Sequence, residues 1–224
     1  MIEGFLFVDK PVGISSFKVI RELRKITGVK KIGHAGTLDP FASGLMIVAI
    51  GRAYTRQLDR FLGSDKSYRC EMILGKTTTT YDCEGDIVSE MVVAVSDAAV
   101  CECIGKFKGS QQQVPPAFSA KKKDGQRAYK AARRGETVVL DPVTVVIHEL
   151  DVLEVSLPRV AFDVTVSKGT YIRSLVHDIG QALGCGAMAN TLCRTAIGSY
   201  TLDRAVALDG LTLEMVQDAI VGEL

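Results

Sequence analysis

The sequence predicts a single α+β domain, in which strands and helices pack around one core. Apolar and polar residues alternate over residues 160–166, which is typical of a half-buried strand. Ile20, Leu23 and Ile26 recur at the spacing of one helical face. The 224 residues are 47% apolar and contain no internal repeat or low-complexity linker. Both structural periods in one chain of this length indicate the α+β class.

The N-terminal elements are a strand at residues 5–8, then a helix, and later a buried strand at residues 45–50. Ser15 or Ser16 caps the helix, and Gly28 ends it. The polar face of this helix carries four cations, which are Lys18, Arg21, Arg24 and Lys25. Two interpretations of this face stay open: a solvated surface, or a surface that contacts phosphate groups.

The later elements are expected from the same periods and from turn residues. In chain order they are a strand at 68–74, a turn-rich connection at 77–85, a short helix at 96–104, a long surface loop at 109–125, a basic helical segment at 126–134, strands at 143–147 and 160–166, a helix at 172–183 ended by Gly184, and a final helix at 213–220 capped by Thr212.

Composition excludes several classes of protein. The longest apolar runs fall far short of the roughly 20 residues that a membrane-spanning helix needs. The N-terminal sequence has an acid and a glycine where a signal peptide has a basic start, so a cytoplasmic location is expected. Six cysteines without any CxxC pair and only three histidines predict neither a disulfide framework nor a zinc site.

The charge of the chain is concentrated in one segment. The whole chain has a net charge of +1, whereas residues 121–134 carry +6 and the rest sums to −5. A solvated run of charges is one interpretation of this segment, and contact with nucleic-acid phosphates is the other. The cations are Lys121, Lys122, Lys123, Arg127, Lys130, Arg133 and Arg134.

The stretch GHAGTLDPFASGL at residues 33–45 has the composition of a shaped loop. It lacks the Lys and Ser/Thr of a phosphate-binding P-loop, and the chain contains no GxSxG of a serine hydrolase. Pro40 disfavours helix at Asp39, so this carboxylate sits on an extended or turned backbone. From this stretch alone, Asp39 is either a turn former or a single nucleophile or base.

This stretch resembles the signature of the TruB family of tRNA pseudouridine synthases. Three further blocks stand in the family's order, namely DKPVGISS, DKSYRCEMILG and SKGTYIRSLVHDIGQALGCGA. The stretch QVPPAFSAKKKDGQRAYKAARRG resembles the family's RNA-gripping insertion. The resemblance implies the pseudouridine synthase fold, a central mixed and mostly antiparallel sheet flanked by helices, with a protruding RNA-binding loop at about residues 109–135.

The resemblance implies a catalytic role for three residues. Asp39 matches the catalytic aspartate, and Arg173 matches an arginine expected to pair with it and keep it ionised. Tyr68 matches a tyrosine that stacks on the target base. Without the resemblance, Arg173 would be an exposed helix residue in a weak surface ion pair, and Tyr68 a packed strand aromatic.

Other residues are implied to bind RNA. His34 matches a histidine that fills the vacancy left by a flipped nucleotide, although by itself it reads as an ordinary loop residue. Lys10 matches a lysine near the site with a phosphate or structural role, and Leu192 is expected to line the pocket. The implied reaction isomerises uridine 55 in the T-loop of tRNA. We expect tRNA, bound through its T-arm, as partner, no cofactor, no membrane and no obligatory protein partner.

The chain is expected to depart from the family in two respects, one residue and one domain. Thr79 stands where many bacterial relatives have the first acid of an R-T-D-T-x-D-x-x-G run, although Asp82 keeps the second. We also expect one catalytic domain over residues 1–224, with the family's C-terminal PUA domain absent or vestigial. Two alternatives to a synthase that acts alone stay open: a tRNA-binding or RNA-chaperone module, and a guide-dependent synthase of the dyskerin branch.

Overall fold

The computed structural model describes residues 2–119, 121–123, 126–132, 134–136, 138 and 140–222. Within these residues the strands are β1 (Gly4–Lys10), β2 (Ile32–His34), β3 (Ser43–Ile50), β4 (Lys66–Leu74), β5 (Lys76–Thr78), β6 (Ile87–Glu90), β7 (Gly109–Gln113), β8 (Lys122–Lys123), β9 (Gln126–Arg127), β10 (Val143–Ser156), β11 (Arg159–Val166), β12 (Ala187–Ile197), β13 (Tyr200–Thr201) and β14 (Val206–Ala207).

The helices of the described residues are α1 (Ser16–Thr27), α2 (Arg52–Thr55), α3 (Asp59–Leu62), α4 (Asp97–Gly105), α5 (Ala128–Ala132), α6 (Ile172–Ala182) and α7 (Leu213–Ala219), with one 3-10 turn (Leu202–Arg204). None of these helices is long and apolar enough to cross a membrane. The chain packs into two compact units, residues 1–68 with 192–224 (unit 1) and residues 69–191 (unit 2).

Unit 1 is built on β3. This strand pairs antiparallel with β1, from Gly4 opposite Ile50 to Lys10 opposite Gly44. It pairs antiparallel with β2 and parallel with the C-terminal part of β12, and β14 adds a parallel partner to β1. Every residue of β3 after Ser43 is buried, as its unbroken apolar run predicts.

Helix α1 begins and ends as its sequence predicts. The Ser15 hydroxyl accepts a hydrogen bond from the Lys18 amide, and Gly28 adopts a left-handed φ of 70° while donating to the Arg24 carbonyl. The helix buries Val19, Ile20 and Leu23 and leaves its cationic side chains on the opposite face. Its amphipathic sequence therefore decides which face packs.

Unit 2 contains the antiparallel pairs β10 with β11 and β10 with β7, and β11 also pairs with β4. Alternate residues of β11 are buried, including Val160, Phe162 and Val164. Strands β5 and β6 form a separate antiparallel pair. Helix α4 begins after the Ser96 cap. The predicted α+β class is confirmed, since the strand pairs are mostly antiparallel with a few parallel ones.

Three local predictions are wrong. The predicted loop at 109–125 contains β7, an edge strand whose mostly exposed polar side chains hide the usual alternation. The connection at 77–85 begins inside β5, where threonine favours a strand. The predicted basic helix at 126–134 starts as strand β9, paired with β8, and becomes helical only at Ala128.

Candidate active site

The loop between β2 and β3 presents Asp39 on a tight turn. The Ala42 amide donates to the Asp39 carbonyl at 3.2 Å, which closes a turn with Pro40 at its second position. Leu38 and Phe41 are each 4% exposed and anchor both ends of this turn in the core, whereas Asp39 is partly exposed. Buried neighbours therefore hold the partly exposed Asp39 on a fixed backbone.

The segment 10–16 fixes the backbone on both sides of Asp39. The buried Ser16 hydroxyl accepts from the Leu38 amide at 2.8 Å and donates to the Leu38 carbonyl at 2.9 Å. On the other side, the Gly13 amide donates to the Pro40 carbonyl at 2.8 Å. The stretches DKPVGISS and GHAGTLDP, which are separate in sequence, are thus one hydrogen-bonded structure.

Lys10 belongs to this structure. Its side chain is fully buried, and its ammonium donates to the carbonyls of Pro11 and Ile14 at 2.8 Å and of Pro40 at 3.4 Å. Backbone carbonyls compensate part of the cost of burying the cation. Of the two roles expected for Lys10, these contacts support the structural one.

Arg194 is a residue that the sequence did not single out. Its side chain is 1% exposed, and its guanidinium donates to the Leu45 carbonyl at 2.7 Å and to the Gly36 carbonyl at 3.3 Å. These carbonyls lie at either end of the Asp39 loop, so Arg194 ties the two ends together. Gly44, at φ 102°, has no room for a side chain because the Arg194 backbone lies against it.

His34 and Leu192 also lie in unit 1. His34 precedes the Asp39 loop, and burial lowers the pKa of its imidazole. The Arg194 charge lowers this pKa further, while a hydrogen bond with the Gly36 backbone opposes both effects. Leu192 is 7% exposed and precedes Cys193, which pairs with Ser43 at the start of β3.

Tyr68 is half-buried on β4, at the last position of unit 1. The expected strand is therefore confirmed, while its stacking on a base stays a prediction.

In unit 2, Arg173 forms a buried ion pair. It is the second residue of α6 and is 3% exposed, so the interpretation as a surface helix residue is wrong. One guanidinium nitrogen lies 3.2 Å from the Asp82 carboxylate and donates to the Thr80 carbonyl at 2.8 Å. The other donates to the Phe118 carbonyl at 3.0 Å. The first turn of α6 is buried together with this cation.

The Asp82 carboxylate is held by its own turn. It accepts hydrogen bonds from the Thr80 hydroxyl at 2.5 Å and from the Glu84 amide at 3.0 Å. The Thr78 hydroxyl donates to the Asp82 carbonyl at 2.6 Å. The threonines of KTTTTYDCEG therefore shape the turn that presents Asp82 to Arg173. In the sequence, Asp82 was marked only as the second acid of the family motif.

Tyr81 lies between these residues in a strained conformation. Its φ of 63° is rare for a residue with a side chain. The ring stacks on His177 of α6, with the centroids 3.9 Å apart. Burial lowers the pKa of His177, and it raises the pKa of its neighbour Asp178 to about 6. The stack fixes the Asp82 turn against the same helix that carries Arg173.

The predicted RNA-binding insertion is in unit 2. Lys122 and Lys123 form β8, Arg127 belongs to β9 and Lys130 to α5, while Lys121 is exposed just before β8. Arg133 lies outside the described residues. Contact of these cations with RNA stays a prediction.

The predicted site residues are thus assigned to both units. Unit 1 carries Lys10, His34, Asp39, Tyr68 and Leu192, and unit 2 carries Arg173 with the basic insertion. The structure joins the neighbours of Asp39 to Lys10 and Ser16, and it joins Arg173 to Asp82. The ion pair expected between Asp39 and Arg173 stays a prediction.

Comparison with known proteins identifies the family. Residues 24–172 match the N-terminal domain model of TruB family pseudouridylate synthases, and residues 173–222 match the tRNA pseudouridylate synthase B C-terminal domain. Over 205 residues the chain is 47% identical to tRNA pseudouridine synthase B of Protochlamydia amoebophila (strain UWE25), covering 92% of this chain and 78% of that relative. It is 48% identical over 205 residues to the enzyme of the same name from Chlamydia muridarum (strain MoPn / Nigg), covering 92% and 85%.

Solved structures agree with this assignment. A chain in the crystal structure of a Cbf5-Nop10-Gar1 complex is similar with a TM-score of 0.73 and 30% identity, over 98% of this chain and 60% of that chain. The present chain therefore spans about 60% of the length of that solved chain. The Asp39 loop and Arg173 lie within the residues that the two family models match. The chain therefore belongs to the TruB family of pseudouridylate synthases and is an isomerase.

Proposed function

We propose that this chain converts uridine to pseudouridine in tRNA, and that its target is uridine 55 of the T-loop. The names of the relatives that are 47–48% identical to it support tRNA as the substrate. The position of the target uridine comes from the family resemblance. The observation that carries the proposal is the Asp39 turn, in which Leu38 and Pro40 are hydrogen-bonded to segment 10–16 while Asp39 between them stays partly exposed.

The reaction is an isomerisation, so its atoms and electrons balance without a co-reactant. The bond from N1 of uracil to C1′ of the ribose breaks, the base turns, and C5 forms a new bond to C1′. The proton on C5 leaves, and N1 gains a proton. Asp39 serves this sequence either by adding covalently to the nucleotide or by stabilising and deprotonating a sugar intermediate. Both routes require an ionised, fixed carboxylate.

Arg173 is proposed to keep Asp39 ionised, as the resemblance implies. An arginine near an aspartate favours the charged form of the acid. Asp82, Thr80 and Phe118 fix the direction of the Arg173 guanidinium, because each accepts from it or pairs with it. We therefore assign Asp82 as a positioning residue that acts through Arg173.

The target nucleotide must leave the RNA stack before Asp39 can reach it. Flipping costs a few kcal/mol, which contacts with the protein must offset. Tyr68 is proposed to stack on the flipped uracil, His34 to fill the space it leaves, and Leu192 to line the pocket. The cations of the insertion, from Lys121 to Arg133, are proposed to bind phosphates of the T-arm, which makes binding weaken as salt rises.

A second candidate function rests on the similarity to Cbf5. That chain was solved with Nop10 and Gar1, which supports a synthase that depends on partner proteins. The two candidates differ in what the purified chain does alone. We expect the chain without other proteins to form pseudouridine in an unmodified tRNA transcript, detected by chemical mapping of the modified base.

Two further transcripts sharpen this test. A transcript with cytidine in place of uridine 55 is expected to gain no pseudouridine, whereas a change at another uridine leaves the reaction intact. Activity only after partner proteins are added would favour the second candidate. Tight tRNA binding without any pseudouridine at any position would instead favour an RNA chaperone.

A further inference from the structure

We propose that the solvent-facing side of α1 binds the phosphate backbone of the RNA whose uridine meets Asp39. This α1 surface consists of Lys18, Arg21, Arg24 and Lys25. It would be a second anchor for the RNA, separate in sequence from the basic insertion. The inference rests on the proposed function, since it takes the substrate to be RNA.

The charges of the α1 surface are weakly compensated. Glu22 is the one acid on the helix, and it pairs with Lys25 at 2.9 Å. Lys18 and Arg21 are exposed, and neither they nor Arg24 form an ion pair with any residue that the structure describes. With one acid against four cations, this helix carries an excess of positive charge, whereas charges of both signs alternate on a solvated helix face.

The charge distribution of the whole chain points the same way. Residues 16–31 hold six basic residues against Glu22, a net charge of +5, and residues 121–134 hold +6. Since the whole chain is at +1, the remaining residues carry −10. Two segments of 16 and 14 residues thus hold 13 of the 27 Lys and Arg residues in an otherwise acidic protein. Such segregation is the electrostatic footprint of a polyanion partner.

The position of α1 relates its charges to Asp39. Ser16, the first residue of the helix, is hydrogen-bonded through its side chain to both backbone groups of Leu38. Asp39 follows Leu38 directly, so the helix begins beside the turn that carries the carboxylate. At a rise of about 1.5 Å per residue, the stripe from Lys18 to Lys25 is about 10 Å long. A stripe of that length can lie along the phosphate backbone of one RNA strand.

Arg24 is held in place for such a contact. Its guanidinium carbon lies 5.9 Å from the centroid of the Phe17 ring, which is 58% exposed. Its Nε is buried and has no hydrogen-bond partner among the described residues. The ring therefore supports a planar cation of the kind that recognises phosphate, and less entropy is lost on binding.

The test measures tRNA affinity at several salt concentrations in an Asp39→Asn background, in which no product forms. Lys18→Gln together with Arg21→Gln is expected to weaken binding about tenfold per residue near 0.1 M salt. The slope of log affinity against log salt is expected to fall by about 1 per residue. Glutamine has nearly the helix propensity of Lys and Arg, so far-UV circular dichroism should show the helix unchanged.

Glu22→Gln is the matched control on the same helix. It removes the one acid of α1 and releases Lys25 from its pair, so it is expected to tighten tRNA binding. Unchanged affinity and salt slope in the double variant would overturn the proposal. Pseudouridine formation by the unsubstituted chain at saturating tRNA is measured in parallel. Loss of binding in the double variant with no pseudouridine from the unsubstituted chain would refute the proposed function and leave the α1 surface as an RNA-binding surface.

Discussion

At the scale of single residues, the ion pair of Arg173 and Asp82 shows what burial adds to a sequence motif. The sequence does not show how deeply Arg173 of SKGTYIR and Asp82 of KTTTTYDCEG are buried. It allowed Arg173 to be an exposed residue. Both side chains are 4% exposed in the structure, where water screens their attraction little. A pair at this depth stabilises only while both partners are present, because either charge alone is costly to bury.

Asp82→Ala is expected to lower the free energy of unfolding by about 3–5 kcal/mol, since it leaves the Arg173 cation buried without its carboxylate. Urea denaturation measures the change. Asp163→Ala is the matched control, because its pair with Arg69 is exposed and is worth at most about 1 kcal/mol. Equal losses in both variants would contradict the account of the buried pair.

Asp178 predicts a pH dependence of stability. Burial raises the pKa of its carboxyl from 3.8 to about 6, so the folded state holds the proton more tightly than the unfolded chain does. The resulting cost to stability appears as pH rises above 3.8 and is complete above about 6. Asp178→Asn removes this cost.

The variant is therefore expected to gain free energy of unfolding progressively between about pH 4 and 6, and by a constant amount at higher pH. The gain is about 1 kcal/mol, reduced because the carboxyl remains partly solvated. Thermal unfolding from pH 4 to 8 measures it, and the same change at exposed Asp209 is the control. A gain that is largest at pH 4 would have the wrong sign.

At the scale of elements, segment 10–16 and the Asp39 loop show what the sequence could not predict. Each stretch resembles a block of the family, and the predicted caps of α1 at Ser15 and Gly28 are confirmed. Their contact was not predicted, because hydrogen bonds between Ser16 and Leu38 join residues 22 apart and leave no local period. The hydrogen bonds from Arg194 to Gly36 and Leu45 were not predicted for the same reason, since these partners are about 150 residues away in sequence.

Ser16→Ala tests this contact. It leaves the buried amide and carbonyl of Leu38 without their partner, which costs about 1–3 kcal/mol of stability. It also loosens the turn that carries Asp39, so we expect kcat to fall at least tenfold while KM for tRNA changes little. Initial rates over a range of tRNA concentrations separate the two parameters.

Ser15→Ala is the control at the adjacent position. It removes the exposed cap of α1 at a cost of about 1 kcal/mol and leaves the Leu38 contacts in place, so kcat should be retained. If both variants lost kcat to the same extent, general destabilisation rather than the placement of Asp39 would explain the loss.

At the scale of the whole molecule, sequence periodicity predicted most of the helices and strands. An element that buries one face needs apolar residues at the helical or strand period, so its burial is visible in the sequence. Periodicity held for α1, β3, β11 and α6, each of which buries one face or the whole element. It failed at β7, whose polar side chains are mostly exposed along an edge, and at the short strand β9. The residue types of the site came from the family resemblance, whereas their burial and partners required the folded chain.

The central claim is that the Asp39 carboxylate performs the isomerisation. The most direct test is chemical mapping of pseudouridine in a tRNA transcript after incubation with the unsubstituted chain, with Asp39→Asn, and with Asp209→Asn as a control at an exposed position. We predict pseudouridine at position 55 with the unsubstituted chain and the control. With Asp39→Asn we predict none, although tRNA binds within a few fold of the normal affinity. Pseudouridine formed by Asp39→Asn at the unsubstituted rate would contradict the account.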